Sequence, residues 1–144
     1  MAPLLLLIPL LLSAGPAGAS DLPAPARQFL ERFQAMQQAT STEADVDRLL
    51  ALCTDDVVYE HSRVGAIVRG KKDLRAGFIA HLGEIRADRT RLVRSAQGPK
   101  LVALEVSREF EVKDGNGWRP VSRTQLLVLE RDQEGRIHRV LDDW

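Results

Sequence analysis

The sequence predicts an α+β domain with helices packed on one face of a largely antiparallel sheet. Apolar residues recur at helical spacing up to about residue 85. From about Thr90 onward the pattern becomes strand-like alternation punctuated by turn signals. No internal repeat, low-complexity linker or shift of composition divides the chain, so one domain is expected.

The first residues stand apart from that domain. Met1 to Leu12 is almost wholly apolar, and the small-residue tail Ser13 to Ala19 ends in Ala17-x-Ala19, the pattern a signal peptidase accepts. The expectation is a signal peptide over residues 1–19, cleaved before Ser20, and a secreted or periplasmic domain over 20–144. The apolar run falls short of the roughly 20 residues a membrane span needs, and Pro3 and Pro9 interrupt it. No membrane association is expected after cleavage.

Pro23 and Pro25 introduce a first helix over about 25–39, with Phe29, Leu30, Phe33 and Met36 as its apolar stripe. Thr40-Ser41-Thr42 ends it and caps a second helix, about Glu43 to Cys53, burying Val46, Leu49, Leu50 and Cys53. A single cysteine has no internal bridge to make and reads as a small core hydrophobe. The segment Asp55 to His61 then joins a helix end to a short strand whose last side chain is histidine. A third helix, about Lys72 to Ile85, carries Leu74, Phe78, Leu82 and Ile85 at helical spacing.

Three turn signals, Gln97-Gly98-Pro99, Asp114 to Gly117 and Asp132 to Gly135, separate the following strands into three or four hairpin-linked segments. Parity is clearest over residues 101–112. Val102, Leu104, Val106, Phe110 and Val112 share one face, and Arg108 sits among them. An arginine there must meet a carboxylate or an anionic ligand, because an unpaired buried charge costs several kcal/mol. In the last strand neither parity is cleanly apolar, so its inward aspartate stays open between Asp142 and Asp143.

With 20 basic and 20 acidic residues the chain has no footprint for nucleic acid or anionic membranes. No two of the three histidines stand at a ligand spacing and no cysteine pair exists, so no metal is expected. A Gly-x-Ser-x-Gly elbow and a Gly-rich phosphate loop are both missing. No cofactor is expected.

Taken together, Leu49 to His61, Gly70-Lys71-Lys72-Asp73-Leu74-Arg75 and Gly135-Arg136-Ile137 to Asp142-Asp143-Trp144 resemble, in order and spacing, the SnoaL-like branch of the nuclear transport factor 2-like superfamily. The resemblance implies a cone, in which a curved mixed or antiparallel sheet wraps the long first helix around a cavity, with three helices in all. It also implies a homodimer through the outer face of the sheet. That fold hosts isomerases, dehydratases, epoxide hydrolases, cyclases and proteins with no catalysis, so it does not give function.

Set against ketosteroid isomerase, a member of the superfamily, His61 falls on the general base, with Ser62 where a proline usually follows. Phe33 falls near the oxyanion-holding tyrosine and Gln125 near the neutral aspartate. Both donors are lost, and with them the largest catalytic contribution to enolate chemistry, so steroid isomerisation is disfavoured. The same comparison turns Val140, Asp142 and Trp144 toward the cavity and sets His61 within reach of Asp142.

The resulting candidate site has His61 as general acid or base, oriented by Asp142 or Glu60, with Arg108 holding an anionic or carbonyl group and Tyr59 donating a hydrogen bond. Phe33, Gln125, Val106, Val140 and Trp144 would line it. Histidine suits the role because its ordinary pKa lies near neutrality. A competing reading weighs equally, in which Arg108 and Asp142 form an internal ion pair that braces the sheet. The function is accordingly either a small cofactor-independent isomerase, lyase or hydrolase, or a non-catalytic module that binds a small molecule or another protein.

Overall fold

The computed structural model describes residues 21–143. The expected signal segment and Trp144 lie outside the described residues. Three helices precede most of a six-stranded sheet: α1 (Ala24–Met36), α2 (Glu43–Leu50), β1 (Cys53–His61), β2 (Ala66–Arg69), α3 (Lys71–Ala80), β3 (Ile85–Gln97), β4 (Leu101–Asp114), β5 (Gly117–Arg131) and β6 (Ile137–Asp143). This is the expected α+β cone. The short strand β2 has no counterpart in the sequence reading.

Each helix ends earlier than the sequence suggests, for a local reason. After Met36 the chain turns, and the Gln38 amide donates to Ser41 Oγ at 3.0 Å. Helix α2 opens with the Thr42 amide donating to Asp45 Oδ2 at 2.8 Å, and it stops at Leu50 because Cys53 already pairs with Ile137 in the sheet. Burial pushes the Cys53 thiol up to about 11, which keeps it an inert hydrophobe. Helix α3 gives way at Gly83, whose φ of +78° turns the chain so that Ile85 opens β3. Gly70, at φ +87°, donates its amide to the Val57 carbonyl at 2.8 Å and so hands β2 over to α3.

The strand order is β2-β1-β6-β5-β4-β3, and only β1 and β6 run parallel. That pairing sets Tyr59 beside Val140 and His61 beside Asp142. The core lies between the helices and the inner sheet face. Phe29 and Phe33 of α1 stack at 5.8 Å, and α2 adds Val46, Leu49 and Leu50. Facing them are Val102, Leu104 and Val106 of β4, Leu127 and Leu129 of β5, and Val140 of β6. Trp118, on β5, carries the Arg86 guanidinium 4.3 Å above its ring and so ties edge strand β3 down across β4.

Two bulges bend β3 and decide which side chains face inward. Between the pairs Arg86–Glu111 and Arg89–Glu109, two residues of β3, Ala87 and Asp88, oppose the single Phe110. Ala87 takes φ +53° to make this possible. The extra residue inverts the parity of the strand: Ile85 faces inward before the bulge, and Asp88, Thr90 and Leu92 face inward after it. Val93 is the second insertion, between the pairs Leu92–Val106 and Arg94–Glu105.

Candidate functional site

Sheet curvature leaves a cavity of about 340 Å³ between α1, α3 and the inner sheet face. One wall is largely apolar, made by Phe33 and Met36 of α1, Phe78 of α3, Leu82 just after it and Ile85, with Gln37, His81 and Glu84 among them. The other is polar, made by Tyr59, His61, Arg108, Arg123 and Asp142. Phe78 meets the Tyr59 ring edge-on at 5.5 Å, so the two walls touch where β1 passes beneath α3.

A single hydrogen-bonded chain organises the polar wall. Tyr59 donates to Asp142 Oδ2 at 2.5 Å, and Gln125 Nε2 donates to Asp142 Oδ1. Arg108 Nη1 donates to Gln125 Oε1 at 3.0 Å. The same guanidinium grips Asp88 with two bonds, Nε to Oδ1 at 3.2 Å and Nη2 to Oδ2 at 2.9 Å. Thr90 adds a bond to Asp88 at 3.3 Å, and Gln34 of α1 and Gln38 just after it donate to the Asp88 carbonyl. Every member from Asp88 to Asp142 is buried, so each polar group has the partner that burial demands. Burial, followed by the neighbouring Asp142 charge, holds the Tyr59 hydroxyl well above its ordinary range, and it stays a protonated donor.

This geometry corrects the expected direct pair between Arg108 and Asp142. The ion pair of Arg108 is with Asp88, and Gln125 stands between the two residues the sequence reading had joined. Glu60 is also removed as an orienting group: it lies on the opposite strand parity and accepts from Arg139 at 2.8 Å. Asp142, the register neighbour of His61, is the carboxylate left for that role.

Of the expected lining, Phe33 does face the cavity, whereas Gln125 lies one bond behind the wall in the network. Val106 and Val140 are fully buried in the core beneath it. Trp144 falls outside the described residues. Two important residues were missed. Asp88 was hidden by the bulge at Ala87, whereas Arg123 shares strand parity with Gln125 and could have been found from it. Arg123 is the register partner of Arg108, and both guanidiniums lie 4.8 Å from the Phe110 ring centre. Burial first, and the Arg108 charge second, bring the Arg123 guanidinium down to about 10.

Among the described residues no group of three or more histidine, cysteine or acidic side chains could hold a metal ion, and no helix is long and apolar enough to cross a membrane. A larger, more open hollow of about 420 Å³ lies over the Ala87 bulge but carries no histidine.

Solved structures with this fold include a candidate SnoaL-like polyketide cyclase from Shewanella putrefaciens CN-32, with a TM-score of 0.69, 11% identity, and 87% of this chain and 82% of that one covered. A protein with a ketosteroid isomerase-like fold from Catenulispora acidiphila, crystallised with trimethylamine, has a TM-score of 0.63 at 15% identity over 81% and 85% of the two chains. An LEH-like epoxide hydrolase from M. tuberculosis has a TM-score of 0.61 at 23% identity over 83% and 81%. At these identities the likeness is one of fold. A search among curated proteins finds no match. The SnoaL-like domain profile, however, matches residues 26–140, nearly the whole described cone, and the chain belongs to the SnoaL-like domain family.

Proposed function

We propose that this chain is exported and binds a small, largely apolar molecule in its cone cavity, with His61 as a cofactor-independent acid–base group for isomerase, lyase or hydrolase chemistry. The observation that carries the proposal is the split wall, largely apolar on the α1 and α3 side and acid–base on the β1 and β6 side. A volume of about 340 Å³ falls within the range of roughly 300–1,000 Å³ typical of small-molecule sites. The epoxide hydrolase and the trimethylamine complex make both halves of the reading reasonable for this fold. A non-catalytic binding role is favoured by one feature, the closed bonding of Arg108 and Asp142 within the fold, which leaves His61 to supply any proton transfer.

Binding is tested with phenylnaphthylamine, a neutral aromatic probe whose fluorescence rises in apolar sites. Saturable binding at one site per chain is expected, and Leu82→Trp, which fills the cavity, should abolish it. Binding that survives Leu82→Trp would place the probe elsewhere. Export predicts a mature chain that starts at Ser20. Pairing through the outer sheet face, where Leu101 and Leu126 are each 40% exposed, predicts twice the chain mass in solution. N-terminal sequencing and light scattering check the two points, and an intact Met1 or a monomer would refute them respectively.

A further inference from the structure

The buried polar row takes one side chain from each of five strands: Tyr59 from β1, Asp142 from β6, Gln125 from β5, Arg108 from β4 and Asp88 from β3. Chemistry fixes the direction of its hydrogen bonds from the Arg108 end. A guanidinium only donates, so Gln125 must turn Oε1 toward Arg108 Nη1, which leaves its amide Nε2 to donate to Asp142 Oδ1. The second oxygen of that carboxylate, Oδ2, lies 2.5 Å from the Tyr59 hydroxyl. Burial and then the Asp142 charge hold the hydroxyl well above its ordinary range, so the proton stays on Tyr59 and is donated to Oδ2.

A tyrosine hydroxyl has one proton to give. With that proton committed to Asp142, the Tyr59 oxygen can only accept from whatever occupies the cavity that the residue lines. An ether oxygen in that place has nothing to donate, and it would set lone pair against lone pair with water displaced from both. A hydroxyl donates to Tyr59, and its own oxygen stays able to accept. Opposite stand Phe33, Met36, Phe78 and Leu82, which would take an apolar body.

Resting on the cavity reading above, we infer that Tyr59 is the ligand-selecting acceptor of this site, and that the preferred ligand is an alcohol or phenol on an apolar skeleton, whose hydroxyl donates to the Tyr59 oxygen. The role expected of Tyr59 from the sequence, a donor to the substrate, is thereby reversed. The hydroxyl end of the ligand lies at β1 and β6, on the wall that also carries His61, and the skeleton lies against α1 and α3.

Naphthol and its methyl ether test this, because they share one aromatic body and differ in whether the oxygen carries a proton. Displacement of phenylnaphthylamine reads both. The wild-type protein should bind naphthol about threefold more tightly or better, the gain expected of one neutral hydrogen bond. In Tyr59→Phe the preference should vanish. Asp142→Asn, which leaves the space unchanged, should abolish it too: its Oδ1 must still accept from Gln125, so its amide nitrogen faces Tyr59 and frees the phenol proton. Tyr59 is the only tyrosine of the chain, so isotope labelling at tyrosine Cζ gives one magnetic resonance signal, which naphthol should move further than the ether does. Equal wild-type affinity for the two probes, an equal Cζ response, or a preference unchanged in either variant overturns the inference and leaves the cavity reading standing. If neither probe displaces phenylnaphthylamine, the cavity reading fails and takes this inference with it. Should the variants not fold, the wild-type ratio and the Cζ signal still decide.

Discussion

Arg108→Ala is expected to destabilise the fold by about 3–5 kcal/mol, the cost typical of removing one partner of a buried ion pair. Arg108 is 2% exposed, and the Asp88 side chain it grips is 0% exposed. Truncation leaves that buried carboxylate without its cation, and Gln125 loses the donor to its Oε1. Contacts of the guanidinium with Phe33 at 5.2 Å and Phe110 at 4.8 Å are lost as well. Because the penalty comes from the orphaned charge, the double variant Arg108→Met with Asp88→Leu should recover most of it. Urea unfolding of the three proteins measures both values. A loss below about 1 kcal/mol in Arg108→Ala would mean that the pair does not brace the sheet.

His61→Ala is expected to keep the fold and lose the chemistry. His61 is half-buried at the end of β1 and lines the cavity, away from the packed core, so its truncation removes little apolar contact. A positioned acid–base group contributes roughly 10²–10⁴-fold to rate, and a loss of that size is predicted for any turnover the proposed site supports, with styrene oxide, an aryl epoxide small enough for the cavity, as the probe for hydrolase chemistry. Tyr59→Phe should have a milder effect, since it removes a donor to Asp142 without touching the proton path. Diol formation, followed for wild type and both variants, gives the comparison. Equal rates for wild type and His61→Ala would take His61 out of the reaction.

Much of the fold was legible because its signals are local. The stripe Phe29, Phe33 and Met36 faces the sheet as its spacing implies, and the alternation from Val102 to Phe110 gives the inner face of β4. The inward burial of Arg108, and its need for a carboxylate, were likewise readable from parity. Which carboxylate it would find was not. Asp88 lies in a polar stretch, Arg86 to Arg91, that looks like a solvated face, and only the extra residue at the Ala87 bulge turns it inward. A bulge is a departure from period two that parity does not reveal, and Asp142 was offered in its place by the family comparison. The parallel pairing of β1 with β6 joins residues about eighty positions apart and leaves no local trace. It was reached through the family resemblance, which also brought His61 and Asp142 together.

The same distinction explains why the site was half seen. His61, Tyr59, Asp142, Arg108 and Phe33 all line the cavity, whereas Val106 and Val140 share their inward face but lie deeper, under the helices. Strand parity tells inside from outside. It does not tell how far along the cone the packed core ends and the open space begins, because that depends on where α1 and α3 cross the sheet.

The central claim, that this open space is a ligand site with His61 on its wall, is tested most directly by nuclear magnetic resonance of the histidine rings and leucine methyls during a phenylnaphthylamine titration. The account predicts saturable shifts at His61 and Leu82, with His138, which lies at the sheet surface near Glu130, unmoved. Shifts at His138 with His61 and Leu82 silent would contradict it.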